Sequence, residues 1–258
     1  MLMRGWFQAS RRAPGRSRWA LHWWDGWRLL MQTVVAVAFG LRVTGRDLIP
    51  RTGPVLYLSN HQSFLDPILS ASVARDRPFR PFARETLFRG PLGWLLSSLG
   101  GMPVSGTGSD KSVMRAALKE LSEGRGVLIY PEGSRTPDGA MHPFKAGIGL
   151  LLRRSDATIV PVGMDGSFNA WPRQRSMPCW RNAIELEVGE PIDREELLAD
   201  GMPAALLKLE ERVDELRRRC RHRLRTRFGP DYPPPGPGDG ITPVREDPAE
   251  EESEVKDG

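Results

Sequence analysis

The sequence predicts a single α/β domain: a mixed, largely parallel sheet wrapped by helices, with an interfacial helix on its N-terminal side. Three observations predict it. Short apolar runs around 55–59, 79–83, 102–104, 127–130, 159–162 and 184–188 read as strands. Helical segments around 67–74, 91–98, 110–123, 145–154 and 203–227 alternate with them, as in a layered α/β fold. The chain has 258 residues, 40% of them hydrophobic, enough for one full core with appended segments.

Taken in order, residues 1–18 are Arg-rich and acid-free, and read as a flexible basic N-terminus. Residues 19–40 read as a membrane-interface helix. Trp19, Trp23 and Trp27 recur every four residues and share a helical face with Leu30 and Met31, with Trp24 beside them. The uncharged stretch 29–41 reaches only about 20 Å, short of a ~30 Å hydrocarbon core. A monotopic anchor fits better than a span; a core helix and a signal peptide are the alternatives. Residues 41–228 form the predicted domain.

Residues 229–258 are Pro-, Gly- and acid-rich and read as a disordered tail. They hold nine acids and two bases, so the first 228 residues carry 35 bases against 23 acids. A basic body favours anionic partners such as lipid headgroups, phosphates or CoA. The run from Arg217 to Arg225 reads as a solvated face or a second membrane contact. No nucleic-acid module accompanies it, so no nucleic-acid partner is expected. Cys179 and Cys220 make no disulfide framework, and reduced thiols suit a cytoplasmic setting.

The stretch 55–67 organises the rest. It starts as a buried strand and ends in Asp66-Pro67, a helix-start signal in which Asp66 is placed to cap amides and Pro67 fits the first turn. His61 and Asp66 thus share a strand-to-helix turn. On a regular helix they would point about 140° apart; in a turn the carboxylate can reach the imidazole. A carboxylate on Nδ1–H fixes the tautomer and leaves Nε2 for proton transfer. The alternative is a capping Asp and an unrelated polar His.

Further along, Tyr130-Pro131-Glu132-Gly133-Ser134-Arg135-Thr136 brings a carboxylate, a glycine and a guanidinium into one loop. Gly133 allows close backbone approach and Arg135 offers a planar fork for phosphate. Glu132 suits orienting Arg135 or accepting from a hydroxyl. A surface turn with a local ion pair is the alternative. Lys145, near a helix start, is favoured there if an anion lies close. Leu87, Leu92, Trp94 and Met102 fall in an apolar helix and the strand after it. They suit a slot for an acyl chain or its donor, or ordinary core packing. The four histidines lack ligand spacing, so no metal site is expected.

Several blocks carry a family resemblance in order: Ser59–Pro67, then Arg84–Phe88 with Pro91–Gly93 and Leu99–Val104, then Tyr130–Thr136, Phe144–Ile148 and Ile159–Gly163. Together they resemble the 1-acylglycerol-3-phosphate acyltransferases of glycerolipid synthesis, over roughly residues 41–190. The resemblance implies transfer of a fatty acyl group from acyl-CoA or acyl carrier protein to lysophosphatidate, giving phosphatidate, with no bound cofactor. It implies His61 and Asp66 as the catalytic pair, and Glu132, Gly133, Arg135 and Lys145 at the substrate phosphate. The Trp cluster, its flanking arginines and the basic body lead to the expectation of a peripheral or monotopic place on the cytoplasmic face of an anionic membrane. One departure stands out: the family often has a basic residue soon after the Pro-Val of the second block, whereas Pro103-Val104 is followed by Ser105-Gly106-Thr107-Gly108. Another lyso-lipid acceptor, a thioester or lipid ester hydrolase using the same dyad, and a non-catalytic membrane-binding protein are the rival readings.

Overall fold

The computed structural model describes residues 14–74, 77–80, 82–104 and 110–240; at 84, 92, 104, 110 and 111 the backbone alone is described. It opens with helix α1 (Arg18–Phe39), capped by the Ser17 hydroxyl, which accepts from the Ala20 amide, and ended by Gly40 in the left-handed region. The main elements after it are β1 (Arg42–Thr44), β2 (Val55–Ser59), α2 (Asp66–Val73), β3 (Phe79–Arg80), β4 (Phe82–Arg84), α3 (Gly90–Ser98) and β5 (Met102–Val104). They continue as α4 (Asp110–Ser122), β6 (Gly126–Ile129), α5 (Gly149–Arg154), β7 (Thr158–Asp165), α6 (Ser167–Ala170), β8 (Glu185–Val188), α7 (Arg194–Leu198) and α8 (Gly201–Phe228).

Six strands form one sheet in the order β1-β8-β7-β2-β6-β3, and only the β7–β8 pairing is antiparallel. The mixed, largely parallel α/β fold is therefore the observed one. Its centre is β2, whose five residues are all buried. Burial on both faces is what a continuous apolar run in a covered parallel sheet provides. Val55 and Tyr57 point into the core on the α1 and α2 side, with Trp24, Phe39 and Phe79. Leu56 and Leu58 point the other way, toward Phe144, Ile148, Leu209 and Val213 under α5 and α8.

Three departures from the sequence reading have physical reasons. The run at 79–83 divides: β3 joins the main sheet, while β4 pairs with β5 in a separate two-stranded sheet. The strand at β1 and the helices α6 and α7 are three to five residues long, too short for a periodic signal. Pro161, a residue type that suits a strand edge or end, lies inside the eight-residue β7, paired to Leu58 of β2. The antiparallel β8 ladder begins one residue later, at Val162.

The basic run of helix α8 divides: Arg218, Arg219 and His222 are exposed, while other arginines of the run are turned onto the sheet. A Cβ on Gly163 of β7 would lie 2.3 Å from the Arg217 backbone nitrogen, so helix and sheet touch through backbone. Arg217 and Arg221 turn inward, and Arg221 Nε donates to the buried Asp165 at 2.6 Å. Arg223 spans Glu185 and Glu187, and Arg227 reaches Glu185. Residues 229–240 do not form the disordered segment that their composition predicts. Tyr232 donates to the Ala183 carbonyl at 2.7 Å, and Asp239 pairs with Arg221 and Arg225. Asp239, an acid that would keep an isolated tail solvated, finds two arginines on α8. The tail from 241 and the N-terminus before 14 lie outside the described residues. Residues 14–17 are bound: Arg16 donates to the Leu99 carbonyl and Arg125 to that of Pro14.

Candidate active site

The parallel strands β2, β6 and β7 are neighbours and run the same way, so the loops leaving their C-terminal ends converge. Open α/β sheets place their ligands at that edge. Here the loop after β2 carries His61, the loop after β6 carries Glu132, Gly133 and Arg135, and the turn after β7 carries Ser167.

His61 Nδ1 and Asp66 Oδ2 are 2.7 Å apart, with Asp66 buried and the His61 ring partly exposed. Asp66 does not cap the following helix: it is itself a helical residue, in the first turn of α2. Its carboxylate is turned back on the preceding loop. Oδ2 also accepts from the Gln62 amide at 2.5 Å and the Ser63 amide at 2.7 Å, and Oδ1 accepts from the Ser167 hydroxyl at 2.9 Å. Donors of this number fix the direction of a buried carboxylate. The Tyr130 ring stacks flat on the imidazole, with centroids 4.1 Å apart and planes 14° from parallel. Burial, and then the Asp66 charge, push the Tyr130 hydroxyl well above its usual range. It stays neutral and shares a hydrogen bond with Ser70 at 2.9 Å. Plane and tautomer of the imidazole are thus both set.

Glu132 joins the two loops. Its Oε1 accepts from the His61 amide at 2.6 Å and its Oε2 from the His142 amide at 3.0 Å. Burial raises its carboxyl to about 8, against those two amides. Both oxygens face backbone, so Glu132 fits neither the substrate phosphate nor a local pair with Arg135; it positions His61. Thr136 adds a second tie, its amide donating to the His61 carbonyl at 2.8 Å.

Gly133, at φ 73°, lies under Lys145: a Cβ there would meet Lys145 Cε at 2.6 Å and Nζ at 2.8 Å. The glycine is therefore needed twice, for its backbone and for the room it leaves the ammonium. Arg135 places its guanidinium carbon 3.4 Å from the centroid of the Phe64 ring, in the His61 turn. Gly133, Arg135 and Lys145 do come together with that turn.

Leu87, Trp94 and Met102 do not form an enclosed slot among the described residues. Leu87 is 44% exposed and Trp94 64% exposed, with Trp94 edge-on to Trp23 of α1 at 6.0 Å. Met102 sits half-buried in β5, paired with Phe82. Trp94 thus belongs to an apolar surface beside α1, on the solvent side of α3. The side chain of Leu92 lies outside the described residues. Among the described residues, no group of three His, Cys, Asp or Glu side chains could hold a metal.

Ser167, Tyr130 and Phe64 emerge as site residues without having been singled out from sequence. The signal for Ser167 was topological: it follows the strand that neighbours β2.

Fold and site define an α/β domain with a paired His and Asp where the parallel strands end. The Acyltransferase family model matches residues 40–165, from the end of α1 to the end of β7. The relatives that the chain matches are named 1-acyl-sn-glycerol-3-phosphate acyltransferases. It is 28% identical to the chloroplastic enzyme LPAT1 of Arabidopsis thaliana over 52% of this chain and 38% of that one. It is 33% identical to the beta enzyme of Homo sapiens over 64% of this chain and 61% of that one. The match thus spans less than two thirds of the length of these curated relatives. The crystal structure of the 1-acyl-sn-glycerophosphate acyltransferase PlsC from Thermotoga maritima shares the fold, with TM-score 0.67, 21% identity, and coverage of 85% of this chain and 88% of that chain.

Proposed function

We propose that this chain transfers a fatty acyl group from a thioester, acyl-CoA or acyl carrier protein, to the free hydroxyl of 1-acylglycerol-3-phosphate, making phosphatidate. The observation that carries the reading is the 2.7 Å contact between His61 Nδ1 and Asp66 Oδ2, with the ring plane set by Tyr130. With Nδ1–H on Asp66, Nε2 takes the proton of the acceptor hydroxyl as its oxygen attacks the thioester carbonyl. The C–O bond forms, the C–S bond breaks, and the proton passes to the leaving thiolate. Arg135 and Lys145 hold the acceptor phosphate beside the His61 turn, across Gly133. No nucleophilic side chain of the protein is required.

The acceptor is a lipid, and the face of α1 supports a membrane-bound enzyme. Trp19, Trp23, Leu30, Val34 and Val37 recur along one side of α1 and are exposed, while Leu21, Trp24, Val35 and Phe39 are buried on the other. No helix among the described residues is long and apolar enough to cross a membrane. In this reading α1 lies in the interface of the anionic cytoplasmic leaflet, as a peripheral or monotopic anchor. The names of the relatives are consistent with a lysophosphatidate acceptor.

The test is a transfer assay with purified protein, labelled acyl-CoA or acyl carrier protein, and a panel of lyso-lipids, with products read by mass. Phosphatidate from lysophosphatidate is the expected product, and folded His61→Ala is expected to lose nearly all turnover. Near-normal turnover in that variant would sink the mechanism.

A further inference from the structure

The segment joining α6 to β8 carries a second surface with the same character as α1. Between Asp165 and Glu185 the chain has no acid and three arginines, Arg173, Arg175 and Arg181. All three are exposed. Arg173 and Arg175 bond neutral acceptors, the Arg135 carbonyl and the Cys179 sulfur. The arginines of α8 differ, being matched by carboxylates. Between these cations stand Met177, 69% exposed, and Trp180, 61% exposed.

The segment is joined to α1 at one end and to the His61 turn at the other. Trp180 stacks on Phe39 with centroids 5.4 Å apart, and the Arg181 amide donates to the Ala38 carbonyl at 3.0 Å. Trp180 and Met177 therefore continue the exposed stripe of α1 past Val37. At the inner end the Trp171 carbonyl accepts from the Phe64 amide at 3.2 Å and from the Ser63 hydroxyl at 2.8 Å.

We propose that the 171–182 segment is a second membrane contact, docking on an anionic lipid surface beside the site. Trp180 and Met177 enter the interface, where an indole ring is favoured, and the arginines meet the anionic headgroups. Because the same segment holds Ser63 and Phe64, docking sets the His61 turn against the lipid that supplies the acceptor. The inference rests on the membrane-bound reading of α1, and extends it to a segment that α1 alone does not require.

The test uses the full chain with vesicles of phosphatidylcholine alone, or of phosphatidylcholine mixed with phosphatidylglycerol. Flotation reads membrane binding as a whole. Trypsin cleavage after Arg173, Arg175 and Arg181, followed by mass, reads the segment. Mixed vesicles are expected to slow those cleavages roughly fivefold or more, since an arginine held at a charged surface is withheld from the protease. Neutral vesicles should protect far less. The exposed pair Arg173→Gln and Arg175→Gln should keep its melting temperature, float through α1, and lose turnover on vesicle-embedded acceptor but not on acceptor in neutral detergent. Flotation with unchanged cleavage overturns the second contact and leaves the α1 reading standing. No flotation overturns both. Equal protection by neutral vesicles overturns the anionic selectivity. Protection by soluble acyl carrier protein and not by vesicles overturns the lipid as occupant.

Discussion

Ser167 donates its hydroxyl to Oδ1 of Asp66 at 2.9 Å, from 101 residues further along the chain. The two meet because β2 and β7 are parallel neighbours, so the turns after them leave the sheet at one edge. Ser167 touches no reacting atom; it holds the carboxylate that holds the imidazole.

Ser167→Ala is accordingly expected to lower kcat with little change in KM. A hydrogen bond to a charged group is worth about 1.5–3 kcal/mol, and only part of it bears on the transition state, so a loss of roughly tenfold is expected. Ser167→Thr, which keeps the hydroxyl, should retain most of the rate. Asp66→Asn should cost far more, through loss of tautomer control. Steady-state kinetics on variants of equal melting temperature decide it: a change confined to KM would remove Ser167 from the positioning of Asp66.

Arg135 and Lys145 flank Gly133, so the acceptor phosphate is expected to feel both. Arg135→Ala should lower kcat/KM on lysophosphatidate by about ten- to a hundredfold, the size of one charge-assisted bond. Activity on a monoacylglycerol should barely change. Arg135→Lys restores the charge without the planar fork, and should fall between. Lys145→Ala should show the same selectivity with a smaller loss, as its ammonium is exposed. Equal losses on phosphorylated and unphosphorylated acceptors would reject the phosphate role for Arg135. The stacking on Phe64 would then be its main task.

Membrane release is expected from substitutions on α1 rather than from its deletion. Leu21, Trp24, Val35 and Phe39 are core residues, so removal of 1–40 would open the domain. Val34→Asp with Val37→Asp changes only the exposed face, where Val37 is 84% accessible. The double variant should keep its melting temperature and float poorly with anionic vesicles. Flotation equal to that of the unaltered protein would move the anchor away from this face.

The sheet was legible because its central strands are buried on both faces and thus appear as unbroken apolar runs, Val55–Ser59 above all. The dyad was legible because four residues of turn separate a base from a carboxylate. Three things were not. The direction of the Asp66 carboxylate depends on the Gln62 and Ser63 amides, and a helix-start signal gives no information about which amides those are. Glu132 reads as a ligand-facing acid until the fold buries it beneath His61. The order of residues 229–240 depends on Arg217, Arg221 and Arg225 turning to one side of α8, which composition does not reveal.

Glu132 gives a pH signature. Its carboxyl is raised from an ordinary 4.5 to about 8, by burial first. Between those values the folded protein binds a proton that the unfolded chain has released. The stabilising contribution is therefore fully present below about 4.5 and lost as pH rises through about 8, with a slope of up to about 1.4 kcal/mol per pH unit. Urea midpoints should fall from pH 6 to pH 9. Glu132→Gln cannot titrate, and should flatten this part of the curve. It should also be the weaker protein at pH 6, because its NH2 must face either the His61 or the His142 amide, a mismatch of about 1–3 kcal/mol. The gap between the two proteins should then narrow toward pH 9, where the unaltered protein carries a buried charge near that of Asp66. Parallel curves from pH 6 to pH 9 would show that the two amides keep Glu132 ionised throughout, and would leave the pH dependence to other groups.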